Sequence, residues 1–214
     1  MDFNDLLVQR RAIRDFTSQP VSHDDIRAIV KDAQQAPSWS DSQPWHVTVA
    51  TGAALDQIKT QHAERVQAHV RGHSELVPTH RNEWSGQPRA NMAAFGEDWH
   101  QFADDPVNML DAQGVLFHAP ALLYLTVAKS SSTWSYYDLG GFGQLLMLAA
   151  TNRGIDSMPA YEIVKYPDIV RNVLPIADDQ LLAMGIALGY RSNAPINGMH
   201  AYRPELDSIL TIKD

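Results

Sequence analysis

A nearly all-apolar helix set between two short apolar strands constrains this chain most. Tyr136 to Asn152 is apolar almost throughout and is followed by Gly154, a natural helix-closing residue. Ala119 to Ala128, bounded by Pro120 and Lys129, and Leu181 to Gly189 read as buried strands on either side of it. Gly140, Gly141 and Gly143 lie inside the helix, where each costs roughly 1 kcal/mol relative to alanine. Close packing of another backbone or of a flat ring system best explains them. Because they sit within the helix rather than ahead of it, they do not form a phosphate loop.

The other elements alternate in the same way. Phe3, Leu6 and Leu7 mark a short first helix. Ser22-His23-Asp24-Asp25 is a capping-box pattern, with Val21 and Ile26 as a staple, and opens a helix to about Gln35. Trp45 to Ala50 alternates as a strand, and Thr51-Gly52 opens a polar helix to about His69. From Arg71 to Pro106 the periodicity decays, although Trp84, Trp99 and Phe102 punctuate the stretch. It reads either as a surface excursion held by aromatic anchors or as a lid over a pocket. Ile209-Leu210-Thr211-Ile212 is a strand signal with no local partner. The 214 residues suffice for one full core, and the alternation predicts a single α+β domain over 1–214, with about 71–107 as a variable, lid-like excursion.

Seventeen basic against 25 acidic residues, a net charge of −8, argue against nucleic acid or an anionic membrane as partner. Val115 to Ala128, the longest apolar stretch, is broken by His118 and Pro120 and is too short to span a bilayer. The acidic start, Met1 to Asp5, shows no signal-peptide pattern, and the absence of cysteine excludes disulfides and thiolate metal sites. A cytoplasmic protein is the expectation. His69 and His73 are four apart, but no third ligand accompanies them, so no metal site is expected.

In so acidic a chain, Arg10, Arg11 and Arg14 are a local reversal of sign. Such a triplet is ordinarily solvated surface charge. A guanidinium cluster without a matching carboxylate cluster beside it also suits phosphate, which it grips through paired charge-assisted hydrogen bonds. Pro37-Ser38-Trp39-Ser40-Asp41-Ser42-Gln43-Pro44-Trp45 reads as a loop whose hydroxyl and amide groups suit a polyol or a heterocycle edge.

In order and spacing these two blocks resemble the N-terminal signature of the FMN-dependent nitroreductase family, Arg-Arg-Ser-x-Arg followed by Pro-Ser-x-x-Asn-x-Gln-Pro-Trp. Asp138 to Ala150 with Gly154 to Pro159, then Gly185 to Tyr190, Pro195-Ile196-Asn197 and Arg203, resemble its central helix, last strand and tail. The resemblance is weak from about Thr60 to Gln113. It implies a nitroreductase-like fold, with a mainly antiparallel sheet flanked by helices and a C-terminal segment exchanged within a homodimer. It implies FMN at the dimer interface and hydride passing from NAD(P)H through FMN to a nitroaromatic, quinone or similar acceptor by a ping-pong scheme. Arg10, Arg11, Arg14 and Arg203 then match positions at the phosphate or the flavin's polar edge. Ala12, Pro37, Ser38, Ser40, Asp41 and Gln43 match the loops around the ribityl chain, and Gln113 the pyrimidine edge. Pro159, Ala160 and Tyr161 match the segment whose backbone N–H faces flavin N5, so no catalytic side chain is needed. Asp41 stands where the family has Asn, Ala12 where it has Ser, and His118 where it has a small residue. The alternatives are a flavin-binding protein without turnover, a reductive dehalogenase, a flavin-fragmenting synthase, or an acidic interaction module built on Trp84 and Trp99.

Overall fold

In the computed structural model, which describes residues 2–100, 102 and 109–213, four strands form one antiparallel sheet. They are β1 (His46–Ala50), β2 (Ala121–Ala128), β3 (Asp156–Pro159) and β4 (Gln180–Gly189), in the order β1-β2-β4-β3. Successive side chains of a strand point to opposite faces. In β2, Leu123, Leu125 and Val127 therefore join one buried cluster while Leu122 and Tyr124 join another. Burial on both faces is why this strand is a near-continuous apolar run. A register shift between Leu125 and Thr126, paired with Met184 and Leu182, inserts Ala183 into β4 and re-aims its side chains.

Helices α2 (His23–Ala33) and α6 (Thr133–Asn152) cover one face through Ile26, Ile29, Phe142 and Leu146. Helices α3 (Gly52–Gln67) and α7 (Pro167–Val173) cover the other through Leu55, Ile58, Ile169 and Val170, with the short α5 (Met109–Gly114) contributing Ala112. The Ser22 hydroxyl caps α2 by accepting from the Asp25 N–H at 3.0 Å and donates to the Asp25 carboxylate at 2.6 Å. Only half of the capping box forms, because Asp is one methylene shorter than the Glu that reaches back to the cap. The first helix, α1 (Phe3–Gln9), buries none of its residues.

Three expectations change. The stretch from 71 to 106 is not irregular throughout: it holds a 3-10 turn, Arg81–Glu83, and helix α4 (Gly86–His100). Positions 101 and 103–108 of the expected excursion lie outside the described residues. Ile209 to Ile212 forms no strand within this chain and lies exposed after a 3-10 turn, Leu206–Ser208. Finally, a Cβ on Gly140 or Gly141 would meet nothing within 4 Å, so the close packing expected there is not supplied by the described residues. Gly143 does face the core, 3.5 Å from Leu125 Cδ1.

Candidate functional site

The arginine segment is a strap along β3. Ala12 bridges Ser157, and the Ile13 N–H donates to the Ser157 carbonyl at 3.0 Å. Further on, Thr17 N–H donates to Tyr190 O at 2.8 Å, and Ser192 N–H to Asp15 O at 3.1 Å. Asn197, 4% exposed, pins the middle. Its amide oxygen accepts from the Arg14 and Asp15 N–H groups at 2.8 and 3.2 Å. Its amide nitrogen donates to Asp15 O and Ser192 O at 2.8 and 3.2 Å.

This strap gathers Arg10, Arg11, Ala12 and Arg14 with His200 and Arg203 around one cavity of about 320 Å³, which α1 closes with Leu7 and Val8. The electrostatics of these cations agree. Burial, then the nearby charge of Arg203, lowers the pKa of Arg10. Burial and Arg191 lower that of Arg11 although Asp156 opposes them, and burial alone lowers that of Arg14. Desolvation that no nearby anion fully offsets produces this direction. Arg14 is 5% exposed, and among the described residues its Nε has no partner and its Nη1 reaches only Ala12 O, at 3.1 Å. Its guanidinium carbon lies 5.9 Å from the centre of the Phe95 ring of α4. Among the described residues no carboxylate pairs with Arg10, Arg11, Arg14 or Arg203. By contrast, Arg191 holds Asp156 through two bonds, of 2.8 and 2.5 Å, and Arg171 holds Glu75. Arg11 instead meets the His200 ring at 2.7 Å, and Arg203 donates to the Ala201 and Tyr202 carbonyls.

Pro159 ends β3 beside the strap. The Ala160 N–H donates to Gly185 O at 3.0 Å, so it is not free to face a ligand. A 3-10 turn, Tyr161–Val164, follows, and the first N–H groups of a helical turn have no acceptor within it. Tyr161 is therefore the backbone donor of the expected segment that stays available. The turn approaches β4 only because residue 185 is glycine: a Cβ there would lie 2.3 Å from Ile163 Cγ2. Beneath the turn, the buried Glu162 carboxylate meets Lys165 Nζ at 2.8 Å and His62 Nε2 at 3.2 Å. Burial pushes its pKa up, but these two partners outweigh it and hold the carboxylate below its ordinary value.

Ser38, Ser40, Asp41 and Gln43 do not line this cavity. Their loop sits against α6, where the Trp39 N–H donates to the Asp138 carboxylate at 3.1 Å. Ser38 Oγ accepts from the Gln43 N–H at 2.9 Å, and the Gln43 side-chain amide donates to Asp41 at 3.0 Å. The acidic departure at Asp41 is thus absorbed locally. Asp41 is also left-handed, at φ 55°, a region that Asn and Asp both tolerate. Pro37 is exposed, and Gln113, on α5, does not line the cavity either. His118 lies at φ 55° after left-handed Leu116 and Phe117, which explains a small residue in the family there. Its Nδ1 is 2.8 Å from Asp15 Oδ1, and the Ser192 hydroxyl donates to the other oxygen of that carboxylate. Serine and histidine both bind the carboxylate and not each other, so this is no hydrolytic triad.

The sequence reading did not foresee the clamp role of Asn197, the placement of Phe95 over Arg14, or the Glu162 anchor. A buried asparagine after Pro-Ile was the available signal for the first; the other two join residues far apart in the chain.

A buried antiparallel sheet with an arginine-rich strap along its edge strand, flanked by helices on both faces, defines an α+β protein. The model of the nitroreductase family matches residues 7–190, and this chain belongs to that family. It is 31% identical to a nitrobenzene nitroreductase of Ectopseudomonas oleovorans, across 97% of this chain and 95% of the relative. It is 29% identical to a 4-nitrobenzoate reductase of Pseudomonas putida, across 94% and 91%. The FMN-dependent nitroreductase NfnB of Mycobacterium smegmatis, solved in complex with NADPH, superposes with a TM-score of 0.88 at 30% identity, covering 99% of this chain and 97% of that one.

Proposed function

We propose that this chain is an FMN-dependent oxidoreductase that passes hydride from NAD(P)H to an electron-poor acceptor, a nitroaromatic or a quinone, in two half-reactions over one site. The observation that carries this reading is the buried Arg14, without a carboxylate partner among the described residues, in one cavity with Arg10, Arg11 and Arg203. The residues fit FMN, an anion on a polyol on a flat ring. Arg10, Arg11 and Arg203 would hold the phosphate, and Ser38, Ser40 and Gln43 would offer groups to the ribityl chain. Arg14 sets a desolvated positive charge where it favours negative charge on a bound ring, and Tyr161 offers a backbone donor. FMN supplies the hydride chemistry when bound. The NAD(P)H co-substrate points to the cytoplasm as the compartment of work. Among the described residues no helix is long and apolar enough to cross a membrane.

The working unit in this reading is a homodimer. The Ser38–Gln43 loop belongs to a face that exposes Trp39, Trp134 and Tyr137, next to the uncovered Gly140 and Gly141. The tail is equally unpartnered, with Ile209 and Ile212 each 75% exposed. Among the described residues β1 pairs only with β2, which leaves an open sheet edge that such a tail segment fits. A second copy would cover this apolar face and bring the loop of one chain toward the arginine cavity of the other.

Steady-state oxidation of NADPH and NADH with nitrobenzene and with a quinone tests the reading. Parallel double-reciprocal lines are expected. Bound flavin without turnover on any acceptor would mean a passive flavin carrier instead.

A further inference from the structure

We infer that the excursion between α3 and β2 contains a subsite for the anionic substituent of a single-ring aromatic acceptor, with Arg81 and Arg89 as its specificity residues. The inference deepens the flavin reading above and rests on it. A cavity of about 230 Å³ lies beside α4, lined by Arg81, Arg89, Met92, Phe95, Gly96 and Trp99. Arg89, Met92, Gly96 and Trp99 recur at spacings of three and four, so they share one face of the helix. Arg81 comes to the same cavity from the 3-10 turn ahead of it.

Three features say what would bind there. First, the walls pair two guanidinium groups with an indole and a phenyl ring, which suits a flat ring carrying a negative group. Among the described residues neither arginine has a carboxylate partner, in a chain whose net charge is −8. Second, the size is restrictive. The volume lies below the ~300 Å³ at which pockets for drug-sized ligands begin, so it holds one substituted ring and not a nucleoside phosphate. Third, the location is adjacent to the cofactor cradle. Phe95 lines this cavity and also lies 5.9 Å over Arg14, so a single ring separates the subsite from the buried cation of the flavin site.

The holoenzyme tests this with two isosteric acceptors, 4-nitrobenzoate and 4-nitrobenzamide. The parent should show the higher kcat/KM with the carboxylate. Arg81→Gln and Arg89→Gln should each lower the benzoate-to-benzamide ratio by about tenfold or more, the lower end of what a charge-assisted contact contributes. The lysine variants should recover part of it. Calorimetric titration of the oxidised holoenzyme with benzoate and benzamide should show the same order without turnover. A ratio unmoved in both glutamine variants overturns the inference. So does a fall in kcat/KM for NADPH relative to NADH with the acceptor ratio unmoved, because the arginines would then serve the dinucleotide's phosphate. FMN content and NADPH oxidation with a quinone, measured on the same samples, report on the flavin reading separately. Their loss in the parent condemns that reading, while their retention with an unmoved ratio condemns this one alone.

Discussion

Asn197 is the residue on which the arginine strap depends, and Asn197→Leu isolates its contribution. Leucine fills the same volume but removes every hydrogen bond of the amide. The Asp15 carbonyl keeps a second donor, the Ser192 N–H at 3.1 Å. The Arg14 and Asp15 N–H groups have no other acceptor among the described residues and become buried, unsatisfied donors. Each such donor costs about 1–3 kcal/mol, so the variant should lose about 3 kcal/mol of stability. The assay is urea unfolding at one fixed protomer concentration, because FMN and assembly both shift the apparent midpoint by mass action. Asn193→Ala is the control: Asn193 is exposed, and its replacement should change stability by less than about 0.5 kcal/mol. The leucine variant should also bind FMN more weakly, since Arg14 loses its backbone anchor. A midpoint matching the control's, with unchanged m, would refute the argument that Asn197 holds the strap.

The cavity arginines make a prediction of opposite sign for apo and holo protein. Because Arg10 and Arg203 repel each other, Arg203→Ala should leave the melting temperature of the flavin-free protein unchanged or raised. The same variant should weaken FMN binding by roughly 10–100-fold in a fluorescence-quenching titration, since a hydrogen bond to a charged group contributes about 1.5–3 kcal/mol. Glu162 is held below its ordinary pKa, so the stability it contributes is complete above the unfolded carboxylate pKa of about 4.3 and is lost as pH falls through the lower folded value. Melting scans from pH 7 to pH 3 should show Glu162→Gln less stable at neutral pH but with a shallower acid decline; identical slopes would remove Glu162 from the account. Deleting residues 206–214 should shift the protein toward monomer in light scattering and lower its flavin content together, and a flavin-replete monomer would contradict the dimer reading.

Much of this was legible in local pattern. Strands β2 and β4 announce themselves because a strand buried on both faces must be apolar throughout, and helix α6 does so through a long apolar run that is buried at Leu139, Phe142 and Leu146 but exposed at Trp134 and Tyr137. The strap was visible as a reversal of charge in an acidic chain. Helix α4 was hidden for physical reasons: Pro88 and Gly96 weaken its sequence signal, and its apolar stripe of Met92, Phe95 and Trp99 faces a cavity, so no core face advertised it. Trp84 and Trp99 looked alike in sequence, yet Trp99 lines that cavity while the Trp84 indole donates to Thr79 O at 3.4 Å outside it. The bonds that set the site, Asn197 to Arg14 and His62 to Glu162, join residues separated by 183 and 100 positions, which no window along the chain can pair. The tail illustrates the converse. Ile209 to Ile212 carries a strand pattern that the sequence left without a local partner, and among the described residues it pairs with no strand.

The central claim is that Arg10, Arg11, Arg14 and Arg203 hold the phosphate and ring of FMN. The most direct measurement is the visible spectrum of the purified protein, with the released chromophore identified and counted per chain, for the parent and for Arg14→Met. The parent should carry FMN near one per chain, bleach anaerobically with NADPH and recover its colour on addition of a nitroarene. Arg14→Met should bind FMN more weakly and be reduced more slowly. A parent that retains no flavin and takes none up when FMN is added, or an Arg14→Met variant that matches it in affinity and rate, would contradict the account.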